Sequence, residues 1–197
     1  PLVVLDSYFP MSSNVSVLIN NLEGAYMAVK HLVENGHAEI GYLSSSVWIN
    51  NFEDRKKGFT KALSDFGMKF NKKYMISLES TLEGAYRDMA KVLQSQTPLP
   101  TAFFADNDII AFGAIKALKE KGIDVPGDVS VVGFDDMPFC EMIEPPLDTV
   151  RVYKQRLGMI AVKRLLDKIQ GNLEESIKIE VGTVLIKRKS VAKRLLP

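Results

Sequence analysis

Short apolar runs alternate with helical segments along the whole chain, and this alternation is the feature that most constrains the fold. Runs such as "EIGYLS", "TAFFA" and "VSVVGF" are separated by stretches whose apolar residues recur at helical spacing. Strands that are apolar on both faces and are separated by helices are typical of a parallel sheet with helices on both sides. We therefore predict an α/β fold with a parallel sheet and right-handed crossovers.

The composition limits the class of partner. The formal net charge is +1, whereas modules that bind nucleic acid usually carry a clear basic excess, so we do not expect this chain itself to bind DNA strongly. The single cysteine, Cys140, excludes an internal disulfide and fits a reducing compartment, so we expect a cytoplasmic protein. Every apolar run is shorter than the roughly 20 residues of a membrane span, so we expect no membrane partner. The chain begins on Pro1 inside the strand-like run "PLVVLD", so we expect further sequence upstream.

Polar residues follow three of the predicted strands. They are Ser44, Ser45, Ser46, Trp48, Asn50 and Asn51 after "EIGYL", Asp106, Asn107 and Asp108 after "TAFFA", and Asp135 and Asp136 after "VSVVGF". Ligands of open parallel sheets bind beyond the carboxyl ends of the strands, so we expect these groups on one rim. Arg55 lies about one helical turn after Asn51, so both side chains can face the same ligand site at this rim. Such amide, carboxylate, guanidinium and hydroxyl groups suit a polyhydroxylated ligand, whose hydroxyls both donate and accept hydrogen bonds.

Each of these residues also has a purely structural interpretation. Asp135, Asp136 and Asn107 could be turn or helix-cap residues, and Arg55 could belong to a surface ion pair. Trp48 could stack on a ligand or could serve only to hold its loop in place by packing.

The remaining polar features have no predicted functional role. His31 and His37 lie at a predicted helix end and just past it, and we expect both to be solvated. The basic stretch "KRKS" near the carboxyl end is interpreted as a solvated tail.

Four motifs, in a fixed order, resemble the effector-binding core of LacI/GalR-type transcriptional regulators. They are "RKKGF" (residues 55–59), "PTAFFADNDIIAFGAIKAL" (100–118), "VPGDVSVVGFDD" (125–136) and "EPPLDTVR" (144–151). The resemblance covers essentially the whole chain. It implies a two-lobed, type I periplasmic-binding-protein-like fold with a complete C-terminal lobe, a partial N-terminal lobe and no DNA-binding headpiece in this chain.

The resemblance also implies lobe boundaries. Residues 1–35 and 149–175 would belong to the N-terminal lobe, residues 36–148 and 176–190 to the C-terminal lobe, and residues 191–197 to a tail. The chain would cross between the lobes near residues 36–39, 146–151 and 172–176.

The site residues implied by the resemblance lie on both lobes. Asn107 and Asp135 resemble the family's effector ligands, Arg55 its guanidinium contact, and Asn51 a small polar contact, while Asp6 ends a strand on the opposite rim. Trp48 is a candidate stacking platform in an unusual loop. The family dimerises, and Phe112, Phe139 and Ile143 are the expected interface residues.

The implied function is that of a non-enzymatic sensor. Binding of a small effector, a sugar or a related metabolite, would control allosterically how a homodimeric repressor binds operator DNA through its headpiece, with no metal or cofactor. The alternative is a periplasmic or extracellular sugar-binding receptor of a transport system, which has the same fold. An enzyme that holds Mg²⁺ on Asp106, Asp108, Asp135 and Asp136 is a third hypothesis, although no glycine-rich phosphate loop accompanies them.

Overall fold

The structure, a computed structural model, describes residues 1–9, 14–95, 98–173 and 175–194. The strands are β1 (Val3–Leu5), β2 (Val15–Ile19), β3 (Ile40–Ser45), β4 (Met75–Leu78), β5 (Ala102–Ala105), β6 (Ser130–Asp135), β7 (Asp148–Arg151), β8 (Lys178–Val181) and β9 (Val184–Ile186). The α-helices are α1 (Asn21–Glu34), α2 (Asn50–Asp65), α3 (Leu82–Gln94), α4 (Asp108–Glu120) and α5 (Lys154–Ile169). Short 3₁₀ turns cover Lys72–Tyr74 and Pro138–Glu141.

The strands form two sheets, which confirms the predicted two-lobed α/β fold. The smaller sheet has the order β1-β2-β8, and all its pairs are parallel. The larger sheet has the order β4-β3-β5-β6-β7-β9 and is parallel except for the β7–β9 pair. The central strands β5 and β6 have almost no exposed residue, as expected for strands covered on both faces.

Helices cover both faces of the larger sheet. On one face, α1 and α2 pack over an aromatic cluster in which the Tyr42 ring lies 4.9 Å from the Phe59 ring and 5.6 Å from the Phe104 ring. On the other face, α3 and α4 pack together over a second buried apolar cluster. Gly58 of the "RKKGF" motif allows the α1–α2 contact, because a Cβ there would lie 2.1 Å from the carbonyl oxygen of Leu22.

The predicted lobe boundaries are wrong for three elements. Residues 149–151 of β7 were assigned to the N-terminal lobe, but β7 pairs with β6 in the larger sheet. Helix α1 was assigned with residues 1–35 to the N-terminal lobe, but it packs on α2 and on the larger sheet. Strand β8 was assigned to the C-terminal lobe, but it pairs with β2 in the smaller sheet. The chain therefore crosses between the sheets at residues 19–21, 151–154 and 181–184. Helical periodicity identifies the apolar face of a helix, but not which of two sheets will cover it.

Both histidines are buried rather than solvated, because each packs where separate segments meet. His31 Nε2 lies 3.1 Å from Asp148 Oδ2. His37 Nε2 donates to the carbonyl oxygen of Ala192 (3.1 Å), and burial lowers the pKa of His37 to about 4. The predicted tail is held down as far as residue 194, where the Arg194 backbone N–H donates to Asn35 O (2.8 Å); residues 195–197 lie outside the described part of the chain.

Candidate effector site

The carboxyl ends of the two sheets meet at a cleft with a cavity of about 280 Å³. Two strands of the smaller sheet and two of the larger sheet end here. The cavity is lined by Leu5, Asp6, Ile19, Asp135, Val152, Lys154 and Leu157. The lining thus combines two carboxylates and one ammonium with four apolar side chains, a mixture that can orient a small polar ligand.

Arg55 is the centre of a buried network beside the cleft. Its side chain is almost wholly buried, so the surface ion-pair interpretation is wrong. Nε donates to Asn21 Oδ1 (2.8 Å), Nη1 to the backbone oxygen of Asp106, and Nη2 to Asp135 Oδ1 (3.3 Å). The guanidinium carbon also lies 3.7 Å from the centroid of the Phe134 ring, within the range of a cation–π contact. Arg55 therefore fixes the Asp135 end of β6 against α2.

Asn51 joins the two lobes. Its side-chain Nδ2 donates to the backbone oxygen of Asp6 (3.2 Å) and to Asp6 Oδ1 (3.0 Å). The preceding Asn50 donates in the same way to Tyr8 O (2.9 Å). The first turn of α2, in the C-terminal lobe, thus holds the segment that follows β1 in the N-terminal lobe.

The surroundings of Asp6 disfavour the charged form of its carboxyl group. Burial raises its pKa, and the nearby charge of Asp135 raises it further, while the hydrogen bond from Asn51 and the charge of Arg55 oppose these effects. Two carboxylates that face one cleft repel each other. A ligand that donates hydrogen bonds to both would reduce this repulsion.

The adjacent acids Asp135 and Asp136 have different roles. Both have positive φ angles, 111° and 49°, which residues other than glycine rarely adopt. The Asp135 carboxylate is partly exposed to the cleft. The Asp136 carboxylate is buried and accepts Arg151 Nε at 2.5 Å, with Arg188 Nη2 at 2.8 Å. Asp136 is therefore a structural ion-pair residue.

Of the six predicted effector-binding residues, Asp6 and Asp135 line the cavity, and Asn51 and Arg55 lie behind it, hydrogen-bonded to these two carboxylates. The other two lie elsewhere. Asn107 Oδ1 accepts the backbone N–H of Ile110 (2.9 Å), so the side chain caps α4 at the rim. Trp48 is 72% exposed and lines a separate recess with Tyr42 and Asp106. The structure thus brings together Asp6, Asn51, Arg55 and Asp135, and leaves Asn107 and Trp48 beside them.

Sequence reasoning did not name Lys154 and Leu157, in the segment after β7, as site residues. Val152, Lys154 and Leu157 line the cleft. Because β7 is parallel to β6, the residues that follow it reach the same rim, and this rule could have identified them. Asn21, whose Oδ1 accepts Arg55 Nε, was not among the predicted site residues.

The acids of the proposed magnesium site do not converge. Asp106 accepts the Tyr42 hydroxyl and the Ser45 N–H, whereas Asp108 accepts Thr149 Oγ1 (2.5 Å) and the Met137 N–H (2.8 Å). Burial is the main cause that raises the pKa of each carboxyl to about 6. Within the described ranges, no group of three or more His, Cys, Asp or Glu residues is placed to hold a metal ion.

The predicted interface residues differ in exposure. Phe139 is 56% exposed on the 3₁₀ turn after β6, whereas Phe112 and Ile143 pack partly against the core beneath. Met142, which sequence reasoning did not include, is exposed close by in the chain. Over the described residues, no helix has the length and apolar character of a membrane span.

Sequence comparison identifies close relatives. Residues 29–191 match the family described as the periplasmic binding protein-like domain. The chain is 38% identical to the HTH-type transcriptional repressor PurR of Pasteurella multocida (strain Pm70) over 196 residues. This alignment covers 99% of this chain and 58% of that repressor. The chain therefore spans little more than half the length of the curated relatives it matches.

Comparison of the folds gives the same result. A LacI family transcriptional regulator from Enterococcus faecium, with bound ribose, matches with a TM-score of 0.89 and 30% identity over 99% of this chain and 72% of that chain. The transcriptional regulator CelR, in complex with cellobiose, matches with a TM-score of 0.87 and 27% identity over 95% of this chain and 57% of that chain. The chain has a cleft between two sheets and resembles these two regulators in sequence and fold. We conclude that the chain belongs to the LacI family of transcriptional regulators.

Proposed function

We propose that this chain is the effector-binding and dimerisation region of a cytoplasmic LacI-type repressor, which senses a small sugar or related metabolite and thereby controls operator binding. The observation that carries the proposal is that Asp6 and Asp135 line one cleft and are held by hydrogen bonds from Asn51 and Arg55. Operator DNA would be contacted through a headpiece outside this chain. Relatives named as transcriptional repressors and regulators favour this function over a transport receptor.

The chemistry of the cleft supports a polyhydroxylated effector. Asp6 and Asp135 accept hydrogen bonds, and Lys154 donates them, so a ligand with several hydroxyls can satisfy all three. The apolar walls contributed by Leu5 and Leu157 suit the C–H faces of a sugar ring. The bound ribose of the Enterococcus faecium regulator is consistent with this class of ligand.

The connection between the lobes supports allosteric control. The chain crosses between the sheets three times, and hydrogen bonds from Asn50 and Asn51 span the lobes. An effector that contacts both lobes favours one relative orientation over others, because it binds that orientation more tightly. Such coupling is typically worth about 1–3 kcal/mol, enough to change the spacing of the two headpieces in a dimer.

Calorimetric titration tests the proposal. Pentoses, hexoses and purine bases are titrated into the protein, and at least one sugar is expected to bind saturably. Asp135→Asn should weaken that binding by about tenfold or more, because it removes a charged acceptor at the ligand. Asp65→Asn, which removes an exposed carboxylate at the far end of α2, is the matched control. Failure of every compound to bind, or equal effects of the two variants, contradicts the proposal.

A further inference from the structure

Helix α5 carries large apolar side chains on the side that faces away from the smaller sheet. Leu157 and Ala161 are buried, because α5 packs on β1 and β2. Leu166 follows Leu157 by about two and a half helical turns, so it lies on the opposite side of the helix. The outward stripe consists of four exposed residues, Met159 (64%), Val162 (58%), Leu166 (51%) and Ile169 (61%).

The spacing of the outward stripe is that of a seam between two helices. Its residues are separated by three, four and three positions, which is the a and d pattern of a coiled coil. Apolar residues in this pattern insert between the side chains of a facing helix. A continuous apolar stripe on a protein surface usually marks an interaction site. The stripe therefore predicts that an amphipathic helix docks along α5.

The border of the outward stripe is basic. Arg156 and Lys163 lie three residues before and four residues after Met159, so both flank the stripe on one side. Both are exposed, and neither forms an ion pair with a described residue. The one acid of α5, Asp167, pairs with Arg164 at 2.9 Å. A facing helix with acids at its own border would complement these free cations.

We propose that the outward stripe of α5 docks an acidic amphipathic helix of a partner protein. The partner's apolar residues would lie on the stripe, and its carboxylates would lie beside Arg156 and Lys163. A second copy of this chain is a poorer occupant, because its own stripe is bordered by the same cations and offers no acid in return. Charge repulsion likewise disfavours a partner helix with basic borders.

A recess of about 410 Å³ continues the outward stripe at its amino end. It is lined by Val152, Tyr153, Lys154, Gln155, Arg156 and Met159. An anchoring side chain of the partner helix can enter this recess, as in the pockets of other protein interfaces. Val152 and Lys154 also line the effector cleft, so the docked helix would contact two residues of that cleft. This link, unlike the docking surface itself, rests on the proposed function.

Fluorescence anisotropy with a designed peptide tests the docking surface. The probe is a labelled three-heptad peptide with Leu at a and d and Glu at e and g, and the control peptide has Lys in place of each Glu. We expect saturable binding of the glutamate peptide and binding of the lysine peptide that is weaker by about tenfold or more. The midpoint for the glutamate peptide should rise with salt, since attraction between surface charges is screened. Equal binding of the two peptides, or no binding of either, overturns the proposal.

Matched variants on α5 and α3 locate the binding surface. Leu166→Gln should weaken binding of the glutamate peptide by about tenfold or more, because it removes an apolar contact at the centre of the seam. Leu82→Gln, at an equally exposed leucine of α3, should not. Lys163→Gln should weaken binding by about two- to fivefold, whereas Lys91→Gln makes the same charge change on α3 and should have no effect. Equal effects of the α5 variants and their controls refute the docking surface.

Two other occupants of the outward stripe would give different results. If a second copy covers it, sedimentation equilibrium of this chain shows self-association that Leu166→Gln abolishes. If an upstream segment of the same protein covers it, a form extended by upstream residues does not bind the glutamate peptide. Either result overturns the proposal. Neither result affects the sugar titration, so this proposal and the proposed function fail independently.

Discussion

Arg55→Lys tests whether the buried guanidinium organises the site. Lysine keeps the charge but cannot make the three divergent contacts of Arg55 with Asn21, Asp106 and Asp135. If the ammonium of the substituted lysine retains the contact with Asp135, then Asn21 Oδ1 and the Asp106 carbonyl oxygen lose their hydrogen-bond donor. Each buried group left without its donor costs about 1–3 kcal/mol. Allowing for relaxation, we expect a loss of about 2–4 kcal/mol, a large share of a domain stability of about 5–15 kcal/mol.

Urea unfolding followed by far-ultraviolet circular dichroism measures this loss. Arg87→Lys is the control, because the exposed Arg87 pairs only with surface carboxylates, and its substitution should change stability by less than about 0.5 kcal/mol. Asn21→Ala completes a double-mutant cycle with Arg55→Lys, and the coupling energy should be about 1 kcal/mol. If Arg55→Lys matches the control, or if the cycle shows no coupling, the guanidinium does not organise this junction.

Three further outcomes follow from buried or exposed single groups. The folded pKa of Asp108, about 6, lies above its ordinary value of 3.8, so the folded state binds the extra proton in that range. The contribution of Asp108 to stability should therefore fall as pH rises from about 4 to 6, and Asp108→Asn should remove this contribution from the pH dependence of urea midpoints. His37 has the opposite sign, because its pKa is lowered from 6.5 to about 4; its contribution should grow over that interval, and His37→Gln should remove the rise. Phe139→Asp should shift the proposed dimer toward monomer in sedimentation equilibrium, whereas Phe66→Asp, at an exposed helix end, should not.

The rim of the cleft was predictable because it follows from local rules. Apolar runs identify parallel strands, and parallel strands end at one edge of a sheet. Asp135, which lies at the rim, and Arg55, which lies beside it, were therefore predicted from the sequence as candidates. Asp6 was predicted only through the family resemblance, since no residue pattern shows which strands of a second sheet face the first.

The errors concern packing between distant segments. Helix α1 was assigned to the wrong lobe because its apolar stripe would fit either sheet. His31 and His37 are buried because Asp148 and Ala192, far away in the chain, supply their partners. Trp48 lies outside the cleft because its loop turns toward the α2 side of the sheet, a direction that composition does not specify.

The first turn of α2 has a mechanical consequence for the proposed allosteric change. Asn50 and Asn51 bind backbone and side-chain oxygens of Tyr8 and Asp6 in the N-terminal lobe, whereas Arg55, one turn later, binds groups of the C-terminal lobe. Opening of the lobes must break the first set and can leave the second intact. At about 0.5–1.5 kcal/mol for each net hydrogen bond, the three bonds of the first set contribute about 1.5–4.5 kcal/mol. This matches the size of typical allosteric coupling, so an effector that replaces Asn51 as the partner of Asp6 is sufficient to change the balance between lobe orientations.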